Sequence, residues 1–400
     1  MTSKDYIALE EKYGAHNYNP LDVVIERAEG VWVYDVEGKK YLDCLAAYSA
    51  VNQGHCHPRI IKALKDQAEK VTLTSRAFRN SQLPLLYKKL NELTGYELSL
   101  PMNSGAEAVE TALKAARKWG CKVKGIPEDK AEIITCRNNF AGRTISLISF
   151  STEAQYRDGF GPFTPGFVTV DFGDNDALEA AITPNTIAVL LEPIQGEGGV
   201  IVPPEGYLKN VCITCKKFGI LFIADEIQTG LGRTGKMFAF QYENVRPDIV
   251  IIGKALSGGC YPVSAVLSRE EILGVFKPGD HGSTFGGNPL GAAVAVEALN
   301  VLVEENLIEK SFELGKYFKE ELKNINSDHI KEVRGKGLFI GVELKSEAGG
   351  ARRFCEALMK RGILCKETHE NVIRFAPPLV ITKEEIDWAL VRIKEVLLMD

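Results

Sequence analysis

Gly219-Ile-Leu-Phe-Ile-Ala-Asp225 and Asp248-Ile-Val-Ile-Ile-Gly-Lys254 are two apolar runs that each end in a charged residue. Continuous Val/Ile/Leu runs of this length mark strands buried on both faces of a parallel sheet. Open α/β sheets place their chemistry beyond the carboxyl ends of such strands, so Asp225 and Lys254 are expected on one rim. A lysine in a desolvated pocket loses its proton readily and forms Schiff bases. Pyridoxal phosphate is held by such a lysine, with a charged partner for its ring nitrogen. Two strands ending in ordinary polar caps give the same pattern, so the pair needs support from elsewhere in the chain.

On both sides of these runs, from about residue 57 to 300, helical patterns alternate with short apolar segments at 132–135, 167–170, 188–191, 221–224, 249–252 and 263–267. That alternation implies βαβ units and a parallel sheet. Residues 31–34 and 41–44 read as a hairpin with Gly38 in its turn. After a helical stretch at 289–305 the chain becomes charged and amphipathic, and strands return at 337–342 and 372–375. The expected architecture is α/β. Residues 57–300 form a large domain with a mostly parallel sheet flanked by helices, residues 301–400 form a smaller α+β domain, and residues 1–56 contribute to that smaller domain.

With 400 residues, 45% of them apolar and 25% charged, the chain has the composition of a folded enzyme and not of a disordered, collagenous or coiled-coil protein. A net charge of -5 without a long Lys/Arg block argues against nucleic acid as a partner. No stretch reaches the roughly 18 apolar residues of a membrane helix, and residues 1–10 lack both a signal core and an Arg-rich transit pattern. A cytoplasmic protein with no membrane partner is expected. The nine cysteines, an odd number, fit free thiols in a reducing compartment. Cys212 and Cys215 match a redox or metal CxxC, but they lie within helical spacing at 207–218 with no second CxxC, so buried structural thiols explain them.

Ser104-Gly-Ala-Glu107 precedes a run of strong helix formers and has the Ser and Glu spacing of a capping box. Such a start offers free backbone N–H groups and a positive dipole end to a phosphate, although an ordinary cap gives the same signature. Gly282-Ser-Thr-Phe-Gly-Gly-Asn288 adds two hydroxyls, Ser283 and Thr284, that suit the same phosphate or simply a loop. Gly230-Leu-Gly-Arg-Thr-Gly-Lys236 satisfies GxGxxG and nearly completes a nucleotide-binding P-loop, but Met237 stands where the magnesium-binding hydroxyl belongs and no good helix follows. His55-Cys-His57 lacks a complementary ligand set and reads as a turn before Pro58. Arg143 and Arg374, each set among apolar or small residues, suit carboxylate binding or a structural salt bridge.

The ordered set of helix start, Phe140, Asp225 and Lys254 resembles the class III, fold type I aminotransferases. Further motifs narrow the resemblance to the ornithine aminotransferase group: Gly14-Ala-His-Asn-Tyr18, Ser49-Ala-Val-Asn-Gln-Gly-His-Cys-His-Pro58, Asp158-Gly-Phe-Gly-Pro162, Ala224-Asp-Glu-Ile-Gln-Thr-Gly230 and Arg334-Gly-Lys-Gly337. It runs from about residue 14 to 380.

The resemblance implies a pyridoxal 5'-phosphate enzyme that moves the δ-amino group of ornithine to 2-oxoglutarate by a ping-pong Schiff-base mechanism. Lys254 would hold the cofactor and shuttle protons, and Asp225 would keep its ring nitrogen protonated. Phe140 would stack on the ring and Gln228 would contact the phenolic oxygen. Ser104, Gly105 and Ala106 would bind the phosphate, joined by Ser283 and Thr284 of a neighbouring subunit, which makes a homodimer the minimum unit. Arg143 would take ornithine's α-carboxylate with Tyr18 near its α-amine and Tyr48 lining the pocket. Arg374 would take the oxo acid's α-carboxylate, and Glu197 would mask Arg374 while ornithine is bound. Ala141 departs from the bulkier residue expected beside the stacking aromatic. Acetylornithine aminotransferase is the nearest alternative, and a P-loop nucleotide hydrolase the alternative from another class.

Overall fold

A computed structural model describes residues 1–399. Over those residues the central sheet has seven strands, in spatial order Leu98–Met102, Ser264–Ser268, Ile249–Ile252, Leu221–Asp225, Thr186–Leu191, Glu132–Cys136 and Phe167–Val170. The last five pair in parallel. Every residue of the three strands from Ile249–Ile252 to Thr186–Leu191 is buried, because both sheet faces are covered. Side-chain alternation splits the interior in two. Ala188, Leu190, Leu221, Ile223, Ile249 and Ile251 pack with the helix Gly105–Lys122. Val189, Leu191, Phe222, Ala224, Val250 and Ile252 pack with Tyr207–Phe218 and Pro289–Glu304.

The expected run of parallel units fails at one strand. Ser264–Ser268 is antiparallel to both of its neighbours. Between it and Ile249–Ile252 lies a 3-10 turn, Lys254–Ser257, with no α-helix to make the crossover that a parallel return requires. Leu98–Met102 is a further strand that the sequence reading missed, since its Pro101 argues against a ladder. It sits at the sheet edge with a single partner, where a proline is tolerated.

The two chain ends meet in a second sheet. The hairpin of Trp32–Asp35 and Lys40–Asp43, with Gly38 at φ +82, carries Ile25–Glu29 on one side and Ile363–Leu364 on the other. An antiparallel sheet of Ile330–Lys336, Phe339–Leu344, Val372–Phe375 and Lys366–Thr368 completes the carboxyl-terminal part. Residue 300, where the boundary was expected, falls inside the helix Pro289–Glu304. The helix Ser3–Tyr13, opened by a Thr2/Asp5 capping box, was not anticipated. Cys212 and Cys215 are buried within Tyr207–Phe218. His55 and His57 face different carboxylates, Asp43 at 2.7 Å and Glu305 at 3.1 Å. Among the described residues no helix is long and apolar enough to cross a membrane.

Residues 230–236 form turns followed by a 3-10 segment, Ala239–Glu243, which is not the helix start that a P-loop needs. Its arginine is structural. Arg233 is fully buried and donates from Nη1 to the carbonyls of Leu338 and Pro377, at 2.8 and 2.6 Å, and from Nη2 to Asn52 Oδ1 at 2.6 Å. One guanidinium thus ties the turn at 230–236 to Asn52 and to the backbone at Leu338 and Pro377. Lysine lacks the planar fork for three such bonds. Arg233→Lys is therefore expected to lower unfolding stability by about 3 kcal/mol by leaving buried acceptors unpaired. A denaturant midpoint unchanged from the parent would refute that tie.

Candidate active site

The strand register builds the site. Leu191 pairs with Ala224 and Asp225 with Ile251, so Glu192, Asp225 and the step into Lys254 emerge together at the carboxyl edge. By the alternation above, Glu192 and Asp225 lie on the face that packs against Gly105–Lys122. Lys254 follows Gly253 at φ +44, in the left-handed region that non-glycine residues avoid, and opens the 3-10 turn. Lys254, Asp225, Gln228, Phe140, Gly105 and Ala106 border one cavity of about 200 Å³, and Glu192 and Glu197 complete its acidic wall.

At the start of the helix Gly105–Lys122, Ser104 Oγ accepts from the Glu107 N–H at 3.2 Å, and Glu107 Oε2 accepts from the Ser104 N–H at 2.7 Å. The hydroxyl of Ser104 is thereby occupied in capping. The amides of Gly105 and Ala106, which helix geometry leaves without intrahelical acceptors, border the cavity. Gly142, at φ +132, closes the cradle, because a Cβ there would come within 3.1 Å of Ala106 Cβ. Ala141 lines the wall beside it and packs on the inner core. A helix start with free amides, an aromatic face, a buried carboxylate and a lysine around one small cavity are the donor set pyridoxal phosphate requires. The residues present fit that group, and the buried Oε1 of Gln228 has no partner among the described residues.

Charge is unevenly matched here. Burial pushes Asp225 up to about 6, against the Ile227 N–H at 3.0 Å and the charge of Lys254. Burial pushes Glu192 up to about 8, and repulsion from Asp225 adds to it. Burial pulls Lys254 below the usual ammonium range, with Glu197 opposing and Arg374 reinforcing the shift. Burial also raises Glu197, but Arg374 and Lys254 outweigh it and hold the carboxyl below its ordinary value.

A wider cavity of about 1050 Å³ shares Phe140 and Glu197 with the first and is lined also by Tyr18, Tyr48 and Arg143. Arg143 is exposed, lies 3.5 Å over the ring of Tyr156, and has no carboxylate partner among the described residues. Arg374 is 1% exposed and donates from Nη1 to Glu197 Oε1 at 2.7 Å, while its Nε and Nη2 are buried without partners among the described residues. Tyr48, whose ring centre lies 5.1 Å from that guanidinium, belongs to a left-handed turn of four consecutive residues from Ala46 to Ser49. Ser283 and Thr284 do not line either cavity of their own chain; Ser283 Oγ accepts from Asn103 Nδ2 at 2.9 Å. Sequence reasoning passed over Glu192 as a site residue, although it ends the apolar run 186–191 just as Asp225 ends its own.

The aminotransferase class-III family matches residues 13–397. The chain is 63% identical to an ornithine aminotransferase of Brevibacillus brevis over 397 residues, covering 99% of both chains. The crystal structure of the ornithine aminotransferase from Toxoplasma gondii ME49 superposes with a TM-score of 0.98 at 48% identity, over 100% of this chain and 95% of that one. The acetylornithine aminotransferase of Elizabethkingia anophelis superposes with a TM-score of 0.90 at 51% identity, over 100% and 99%. With its fold type I architecture and its pyridoxal-phosphate donor set, the chain belongs to the class III aminotransferases.

Proposed function

We propose that this enzyme moves the δ-amino group of L-ornithine to 2-oxoglutarate, giving glutamate and glutamate 5-semialdehyde, which cyclises to pyrroline-5-carboxylate. One observation carries the reading: Arg374, buried behind Tyr48 and Glu197 of the wider cavity, is closed by Glu197, while Arg143 lines that cavity with no carboxylate partner among the described residues. A single site must take one substrate by its distal amine and the other by its α-carbon, so it needs two carboxylate sites that are not open together. In this reading Arg143 takes ornithine's α-carboxylate, with Tyr18 near the α-amine and Tyr48 on the wall. Arg374 takes the α-carboxylate of 2-oxoglutarate once Glu197 releases it.

Bound pyridoxal phosphate supplies a carbonyl for the amine and an electron sink for the carbon that loses its proton. Lys254, partly desolvated, supplies Nζ as the tether and as the base and acid at the reacting carbon. Asp225 holds the proton at the ring nitrogen, Phe140 covers the ring face, Gln228 meets the phenolic oxygen, and the amides of Gly105 and Ala106 hold the phosphate at the helix start that Ser104 caps. Ser283 and Thr284 serve the partner's site in a cytoplasmic homodimer. Phe285, next to Thr284 in the same loop, is exposed, and an exposed aromatic there suits a subunit contact. The acetylornithine reading keeps the cofactor residues but gives a product that cannot cyclise.

Ornithine and N-acetylornithine, each supplied with 2-oxoglutarate, test the proposal directly. Pyrroline-5-carboxylate is expected from ornithine alone and none from Lys254→Ala, which also loses the visible band of lysine-held cofactor; turnover confined to N-acetylornithine would reverse the assignment. In Glu197→Ala, loss of a charge-assisted mask of about 1.5–3 kcal/mol should cut the preference for δ- over α-amines roughly tenfold or more. Half-reactions with ornithine and glutamate measure it, and an unchanged ratio rules the mask out. Asp225 has a folded pKa raised from 3.8 to about 6, so its contribution to the stability of the cofactor-free protein is present below pH 3.8 and lost as pH rises through about 6. Relative to Asp225→Asn, the cofactor-free parent should lose about 3 kcal/mol across that window. Urea unfolding at both ends reads the difference, and a pH-independent gap would contradict the buried ionisation.

A further inference from the structure

Glu192 is a buried acid for which the transamination chemistry above has no use. It follows the strand Thr186–Leu191, lies beside Asp225 on the same wall of the cofactor cavity, and is 8% exposed. Its two oxygens are divided between two loops. Oε1 accepts the Phe140 N–H at 2.9 Å and Oε2 accepts the Gly196 N–H at 3.1 Å. Phe140 begins the segment that leads to Arg143, and Gly196 immediately precedes Glu197. We infer that Glu192 is a positioning residue that fixes the cofactor-stacking ring and the carboxylate masking Arg374 as one unit, and so sets amine selectivity.

The surroundings leave little slack for the two loops to adjust separately. Gly196 lies flush on Gln228, where a Cβ would fall 1.5 Å from Gln228 Oε1, and Glu197 Oε1 is held jointly by Arg374 Nη1 and Gln228 Nε2. A shift of Gly196 therefore moves Glu197 against Arg374. The loops touch again where Gln195 Nε2 donates to the Arg137 carbonyl at 2.6 Å and Gly198 packs on Asn138, so the Glu192 bridge lies at the inner end of a continuous seam. Two amide donors need two acceptor oxygens. Glutamine supplies one and turns an N–H₂ toward the other amide, while aspartate keeps the charge but is one methylene short of spanning both loops.

This inference rests on the proposed ornithine reading for its selectivity arm and is independent of it for the rest. In Glu192→Gln and Glu192→Asp holoenzymes, with Lys254 and Asp225 intact, the visible circular dichroism of the bound cofactor should fall. The preference for ornithine over glutamate in half-reactions should drop about tenfold in both, the effect of one charge-assisted hydrogen bond. If Glu192→Asp behaves as the parent while Glu192→Gln only shifts the pH titration of the cofactor band, the residue acts through its charge and the inference fails. It fails equally if neither variant alters dichroism or preference. Amide exchange in the unmodified holoenzyme decides the matter should neither variant fold: the Phe140 and Gly196 N–H groups are expected to open together, and independent opening overturns the proposal. A parent enzyme unreactive toward ornithine would refute the proposed substrate and leave the dichroism and exchange readings of Glu192 standing.

Discussion

The site depends on the register of three parallel strands, Thr186–Leu191, Leu221–Asp225 and Ile249–Ile252. The pairs Leu191 with Ala224 and Asp225 with Ile251 bring an acid, an acid and a lysine to one edge. A slip of one residue would turn Asp225 away from the face of Gly105–Lys122, because side chains alternate with a period of two. The slip is costly, since both faces of these strands are sealed by separate apolar clusters and every strand residue would exchange one for the other. The hydrophobic core thus specifies the catalytic geometry and not only the stability of the fold.

That geometry is held against local preferences. Asp225, Glu192 and Glu226 are buried together with raised pKa values, and Lys254 is buried with a lowered one. Lys254 also adopts a left-handed backbone, as do the four residues of the turn that carries Tyr48. Each departure costs on the order of 1–3 kcal/mol and persists only where the surrounding packing enforces it. In the proposed site, a cofactor with a protonated ring nitrogen and a phosphate would supply the missing counterparts to Asp225 and to the helix start. Binding to the folded state alone then stabilises it by mass action.

The sequence was informative wherever a residue's role is decided by its near neighbours. The Ser104 capping box, the helix Tyr207–Phe218 with its buried thiols, and the strand ends at Asp225 and Lys254 all follow from local pattern. What escaped is settled by distant partners. Pro101 argues against a strand until the edge position of Leu98–Met102 is known, and the turn to antiparallel at Ser264–Ser268 depends on a crossover too short for a helix. Ile363–Leu364 joins Lys40–Asp43 across most of the chain. Arg233 sits in a glycine-rich motif that imitates a phosphate loop, yet its bonds run to Asn52, Leu338 and Pro377. Glu192 was legible by the same strand-end rule as Asp225 but carries no lysine downstream to draw attention to it.

In the proposed reaction the mask on Arg374 has to be strong enough to exclude ornithine's α-carboxylate and weak enough to yield to that of 2-oxoglutarate. The bonding around Glu197 meets both conditions. Its backbone carbonyl accepts from Thr368 Oγ1 at 2.6 Å, so the main chain is anchored on the Lys366–Thr368 strand and only the side chain has to turn to release Arg374. Its Oε1 is shared between Arg374 and Gln228, so release from the arginine leaves one partner in place. Arg374 cannot stay bare, because burial without a counter-charge costs several kcal/mol and its Nε and Nη2 already lack acceptors. An incoming carboxylate that satisfies those two donors bidentately offers more than the single bond Glu197 makes. The exchange is therefore driven by donors that the resting site leaves unused, and selectivity follows from which substrate places a carboxylate within their reach.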